Sequence, residues 1–206
     1  KDIIYAGADD GLVHITMDGG KNWSNITPDL EEGMINSIDV SPHDPATVYI
    51  AFNRYKFDDF KPYVLKSTNY GKTWKVYNNG IEKNSFVRVV REDNVKKGLL
   101  YAGTERGIYL STDGGENWDK WQRNLPIVPI TDLEVHQNDL VVATQGRGFW
   151  IYDDLTPIHE LSEETKDKNV HMFEVEDNHK VLFSAMRRQG PLGKNPYYGT
   201  EIKYFI

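Results

Sequence analysis

At 206 residues the chain is long enough to bury a core, and its formal charge of −7 comes without any Lys/Arg stripe that would follow a phosphate backbone, which excludes nucleic acid as a partner. It has no cysteine, so no disulfide framework or thiolate chemistry is available, and no apolar run of about 18 residues that would make a transmembrane segment. Twelve Tyr, eight Phe and five Trp favour strands over helices.

In chain order, Ile4-Tyr5-Ala6-Gly7 reads as a buried strand, Asp9-Asp10-Gly11 as a polar turn, and residues 12–16 as a second strand. A third strand starts at Trp23, and residues 36–40 form the first strand of the next unit. The order then repeats. Val48-Tyr49-Ile50-Ala51, a long loop over residues 53–63, and residues 64–67 lead to a strand starting at Trp74. Residues 86–90, 100–103 and 108–111, with the turn Glu105-Arg106-Gly107, lead to one starting at Trp118. Residues 130–135, 140–143 and 149–152, with the turn Gly146-Arg147-Gly148, close the series. With strands named A to D from the axis outward, the chain holds B-C-D of one blade, two complete blades and A-B-C of a fourth. The predicted fold is all-β, a partial β-propeller of four-stranded antiparallel blades.

Each C-to-D turn carries one motif: Thr16-Met17-Asp18-Gly19-Gly20-Lys21-Asn22-Trp23, Ser67-Thr68-Asn69-Tyr70-Gly71-Lys72-Thr73-Trp74 and Ser111-Thr112-Asp113-Gly114-Gly115-Glu116-Asn117-Trp118. Asp18, Asn69 and Asp113 lie 51 and then 44 residues apart, which is blade spacing. The aspartates accept backbone N–H groups of their own turn, while Gly20, Gly71 and Gly115 supply the positive φ of a tight hairpin. The tryptophans fill the wedge between blades, each contributing roughly 2–3 kcal/mol of burial. These residues are therefore structural, and Trp74→Ala should harm folding first.

The three motifs resemble the Asp-box family, or bacterial neuraminidase repeat, with its pattern Ser/Thr-x-Asp-x-Gly-x-x-Trp. Asn69 and Tyr70 depart from it, so the second hairpin keeps an acceptor, loses a charge and one glycine, and is expected to be the weakest. Residues 143–157 resemble the closing blade of sortilin-type secreted bacterial proteins often labelled glycosyl hydrolases. That resemblance implies propeller blades over residues 1–157, a linker over 158–169 and the start of a second, sandwich-like β domain over 170–206. Within the last, residues 170–175 and 180–183 read as short strands and 193–200 as the domain entry. It also implies a piece of a longer chain in a secreted, periplasmic or bacterial cell-surface setting.

Alternating strand directions place the B–C turns and D–A connections on one face and the Asp-box turns on the other. The loop over residues 53–63 is the outlier on the first face, with aromatics set among charges. Arg54, Tyr55, Phe57, Asp58, Asp59 and Phe60 from this loop, with Arg106 and Arg147 from matching B–C turns, are the candidate binding residues. The expected ligand is a protein or a glycan, with remaining blades of the parent chain or a cell-surface complex as further partners. Neither Asp58-Asp59 nor Asp153-Asp154 has calcium-loop spacing, and the six histidines show no zinc pattern, so no metal and no cofactor are predicted. No catalytic residue is assignable. The rival reading is a glycoside hydrolase, similar to xyloglucanases, whose paired carboxyl groups would line a cleft between two propellers.

Overall fold

The computed structural model describes residues 2–175 and 199–206. Two compact units divide the chain, Lys1–Asp153 and Asp154–Ile206. The first contains four antiparallel sheets in the predicted order. The first blade is β1 (Ile4–Gly7), β2 (Val13–Thr16) and β3 (Ser24–Asn25). The second is β4 (Met34–Val40), β5 (Val48–Arg54), β6 (Asp59–Ser67) and β7 (Lys75–Val76). The third is β8 (Val87–Glu92), β9 (Leu100–Thr104), β10 (Gly107–Ser111) and β11 (Asp119–Lys120), and the fourth β12 (Ile130–His136), β13 (Asp139–Thr144) and β14 (Phe149–Tyr152).

The register explains how the blades stack. In the four B–C hairpins Gly7 opposes Val13, Ala51 opposes Val64, Gly103 opposes Ile108 and Ala143 opposes Phe149. The B-strand partner is always small, because the inner strand of the next blade passes over it. A Cβ on Gly7 would come within 2.5 Å of Ile35, and one on Gly103 within 2.6 Å of Ile130. The larger C-strand partners fill the wedge beside it. Val64, Tyr49 and Ala51 of the second blade meet Leu100, Tyr109 and Trp118 of the third in one buried cluster. Each large apolar side chain buried there stabilises the seam by roughly 1.5–3 kcal/mol.

The boxes are pinned as the residue types dictate. The Thr16 hydroxyl donates to Asp18 Oδ1 at 2.8 Å and accepts the Gly20 N–H at 2.9 Å, while Asp18 Oδ1 also accepts the Asn22 N–H. Ser111, Asp113, Gly115 and Asn117 repeat this pattern. Chiefly the Asn22 backbone N–H, with the Asn22 amide and the Thr16 hydroxyl, holds the Asp18 carboxyl down at about 2. Burial alone would push Asp113 up, but the same hydrogen bonds outweigh it and its carboxyl is also lowered.

In the second box Tyr70 takes the left-handed position, φ 61°, that Gly19 and Gly114 occupy elsewhere. Its side-chain bond is reversed. Asn22 and Asn117 donate their amides to Asp18 and Asp113, whereas Asn69 donates its own amide to the Thr73 hydroxyl at 2.8 Å. The hydroxyl and backbone bonds around Asn69 match those of the other boxes.

The tryptophans differ in burial. Trp118 is 2% exposed and Trp74 half-buried, with indole N–H groups donating to Tyr77 and Ile26 carbonyls in the preceding blade. Trp23 is 45% exposed and donates only to its own turn, at Gly20, because no blade precedes it among the described residues. The fourth blade has no box. There Tyr152, at the register position of Ser111, sets its ring 4.6 Å from Trp121.

Four details depart from the sequence reading. Strand β1, read as buried, has Ile4, Ala6 and Gly7 exposed, since no blade packs before it among the described residues. The outer strands β3, β7 and β11 are each only two residues long. The loop read over residues 53–63 is largely a hairpin, with strand pairing continued to Arg54 and Asp59. The stretch read as a linker holds two short helices, α1 (Thr156–Glu160) and α2 (Glu163–Lys166). In the second unit β15 (His171–Met172) pairs with β16 (Tyr204–Phe205), and His171 Nε2 lies 2.8 Å from Glu160 Oε2. The strand read at 180–183 and residues 193–198 of the predicted domain entry fall outside the described residues.

Candidate binding site

The site is built on the β5–β6 hairpin. Arg54 and Asp59 face each other as its last pair, and a single 3₁₀ turn, Tyr55–Phe57, closes it. Asp58 ends the turn in the left-handed region at φ 60°, a conformation that short polar side chains tolerate. Polarity explains why this hairpin was read as a loop: the terminal pair is an ion pair rather than two apolar residues.

Arg54 organises the cavity beside the hairpin. Its Nη1 lies 2.6 Å from Glu31 Oε2 and 3.2 Å from Asp59 Oδ2, and its Nε donates to the Glu32 carbonyl at 2.8 Å. Asp59 Oδ2 also accepts the Tyr63 hydroxyl at 2.8 Å, and Oδ1 accepts the Lys61 N–H. Burial opposes ionisation of Asp59, but the Tyr63 hydroxyl, the Lys61 N–H and the two cations lower its carboxyl below the ordinary range. The same environment, burial first and then Asp59, raises the Tyr63 phenol. These groups line a cavity of about 340 Å³ between the first and second blades.

On the other flank the aromatics reach the third blade. Tyr55 stacks on Phe86 at 5.2 Å with planes 15° apart, and Phe60 tilts against the same ring at 6.4 Å. Arg88 lies over Phe86 and forms an ion pair with Glu105 at 2.6 Å. Phe57 lies beneath the Arg54 guanidinium at 5.8 Å. Tyr55, Phe57 and Phe60 each keep a large exposed surface. The hairpin thus anchors Tyr55 and Phe60 on a neighbouring blade and Phe57 on its own Arg54, and offers the exposed side of each ring.

Arg54, Tyr55, Phe57, Asp59 and Phe60 come together here, while Asp58 serves the turn. Arg106 and Arg147 stand elsewhere. Arg106 lies 4.0 Å from Glu82, and Arg147 gives its carbonyl to the Trp150 indole. Sequence reasoning missed Glu31, Phe86 and Arg88, whose one available signal was position, in or beside the D–A connections and A strands that share this face; Tyr63, on β6, fell within the 53–63 segment but was not named as a binding residue.

A bigger cavity, about 690 Å³, lies beside Ile26, Thr27, Trp74 and Lys75 and shares Asp29 and Leu30 with the Arg54 cavity. Asp39, pushed up to about 6 mainly by burial, accepts the Glu92 N–H between the second and third blades toward their Asp-box ends. Among the described residues no group of three His, Asp or Glu side chains gathers to hold a metal ion.

The BNR/Asp-box repeat family matches residues 109–120, which include the whole third box. The chain carries a BNR-type β-propeller. Similar solved structures include YCF48 bound to D1 peptide, 18% identical, with a TM-score of 0.57 over 74% of this chain and 48% of that one. The GH74 enzyme of Niastella koreensis is 18% identical, with a TM-score of 0.58 over 74% of this chain and 26% of that one. An ancestral GH74 enzyme is 23% identical, with a TM-score of 0.56 over 69% of this chain and 20% of that one. These likenesses show the fold. The chain spans about half the length of YCF48 and 26% and 20% of the two GH74 chains. A search of curated proteins gives no match.

Proposed function

We propose that this propeller is a non-catalytic binding module that engages a protein segment through the face bearing the β5–β6 hairpin. The observation carrying this reading is the set of half-exposed rings of Tyr55 and Phe60, anchored by Phe86, and of Phe57 under Arg54, placed beside the Arg54 cavity. Rigid aromatic rings supply contact area at low entropic cost, and the paired charges beside them set register for a polar backbone. YCF48, a similar propeller, is described as bound to a peptide, which supports a peptide over a glycan. Asp59, held ionised, suits cation binding better than proton donation to a leaving group, so the hydrolase reading gains nothing from this cavity. A secreted or cell-surface setting, and a separate β domain beginning in the second unit, belong to the same proposal.

The test is a peptide-display selection on the folded chain, followed by calorimetry with the Tyr55→Ala/Phe57→Ala/Phe60→Ala variant. Loss of at least about tenfold in affinity is expected for removing aromatic anchors. Unchanged affinity for the selected peptides in a variant with an unaltered melting curve would place binding elsewhere and sink the assignment.

A further inference from the structure

Within the arc of four blades, the seam between the first and second is built from the same positions as the seam between the second and third, but it does not close beside the outer strands. In the later seam the Lys66 ammonium lies over the Tyr77 ring and donates to the Gly114 carbonyl at 2.7 Å. The Trp118 N–H donates to the Asn79 carbonyl at 2.9 Å, and the Asn79 amide to Asn117 Oδ1 at 2.7 Å. Strand register puts Ile15 at the position of Lys66, Ile26 at that of Tyr77 and Pro28 at that of Asn79. Isoleucine and proline side chains have no donor, and the Pro28 carbonyl takes the N–H of Leu30 in its own connection instead. The earlier seam therefore stays open over the cavity of about 690 Å³, lined by Ile15, Ile26, Leu65 and Trp74 and edged by the half-exposed side chains of Met17 and Val76.

This cavity continues toward the β5–β6 hairpin. It shares Asp29 and Leu30 with the Arg54 cavity, and a third cavity of about 210 Å³ joins Thr27, Pro28 and Leu30 to Glu32 and Phe52. All three follow the connection from β3 to β4, and Leu30 lines each of them. The acidic groups along this path, Asp10, Asp29, Glu31, Glu32 and Asp59, outnumber the cations, and Arg54 already faces Glu31 and Asp59. Lys75 turns its ammonium over the Tyr77 ring, which Lys66 also covers in the later seam. We propose that the peptide engaged by the hairpin is a basic, extended segment that runs on down this cleft and seats one large apolar side chain in the open cavity. The path begins at the hairpin site proposed above and rests on that reading, while the cleft sets the chemistry of the partner. Net negative charge along the path draws and orients lysine or arginine side chains, and the larger cavity, in the size range of a ligand pocket, fits an apolar anchor. An acidic segment would meet Asp29, Glu31 and Glu32 in turn.

Peptide-display selection on the 206-residue chain, followed by calorimetry with the selected peptides, tests this. Expected are peptides of net positive charge with a large apolar residue toward one end, bound less tightly as salt rises because the attracting carboxylates are exposed. Met17→Lys/Val76→Lys changes only half-exposed side chains and should weaken binding by at least about tenfold, as loss of an apolar anchor does. Met17→Ser/Val76→Ser replaces that pair should it melt early. Asp29→Lys/Glu32→Lys should weaken binding comparably and remove most of the salt dependence. The Tyr55→Ala/Phe57→Ala/Phe60→Ala variant reports on the hairpin alone. Loss of affinity in that variant, with both cleft variants binding as the unaltered chain does, would overturn the cleft and leave the hairpin site standing. Loss in the cleft variants alone would overturn the hairpin reading, and with it the single path. Selected peptides that are neutral or acidic, or a selection that yields none, would also overturn the proposal.

Discussion

The indole N–H of Trp118 donates to the backbone carbonyl of Tyr77 at 3.0 Å, so the box of one blade is fastened to the residue that follows the outer strand of the blade before it. Trp74 and Ile26 repeat the contact at 2.7 Å. Trp118→Ala should therefore open a seam and leave a cavity, at a cost of about 3–5 kcal/mol. Trp23→Ala, made in the same motif but on an exposed face, should cost less than about 1 kcal/mol. Urea unfolding of the two variants side by side measures the difference.

Acid stability should carry contributions of opposite sign. Asp18 has its folded carboxyl at about 2, below the ordinary 3.8, so its contribution is present above 3.8 and is lost as pH falls through about 2. Asp39 is raised to about 6, so the fold favours its protonated form and its contribution fades as pH rises from about 4 through about 6. Asp39→Asn should flatten the stability profile between those values, and Asp18→Asn should flatten it below 4. Thermal melts across pH read both.

The reversed Asn69–Thr73 bond predicts tolerance. Asn69→Asp should fold normally, because the Thr73 hydroxyl can donate to a carboxylate as readily as it accepts from an amide. Asn69→Ala removes the acceptor for the Thr73 N–H and should cost about 1 kcal/mol. Chemical denaturation of both variants separates the acceptor's role from that of charge.

Arg54→Ala should loosen the β5–β6 hairpin without unfolding the blades. Its bond to Glu31 contributes little, because Glu31 is mostly exposed, while Asp59 would lose a charged partner in a partly buried site. A cost of about 1–2 kcal/mol is expected, with faster amide exchange confined to residues 54–60.

Blade order was legible because strands B and C read as apolar runs and the box recurs at blade spacing. Seam contacts were not, since Trp23 and Trp118 sit in near-identical motifs and differ only in whether a neighbour covers them. The β5–β6 hairpin was misread because Lys56, Asp58, Asp59 and Lys61 erase the apolar alternation, and its terminal pair is held by charge. Of the site, Arg54 and the hairpin aromatics were readable from composition. Phe86 was not, because its partner Tyr55 is distant in the chain and is fixed only by blade stacking. Helices α1 and α2 are too short to show a periodic apolar face, so no signal announced them.

The middle hairpin is the one without an ionisable clasp. As pH falls through about 2 the Asp18 turn loses its charge-assisted bonds, and the Asp113 turn, whose carboxyl is lowered by the same set of bonds, loses its own in acid, while Asn69 keeps its full complement of neutral ones. Acid should therefore fray the arc from its first and third boxes and leave the second standing, making the copy that departs most from its family's pattern the most acid-resistant of the three.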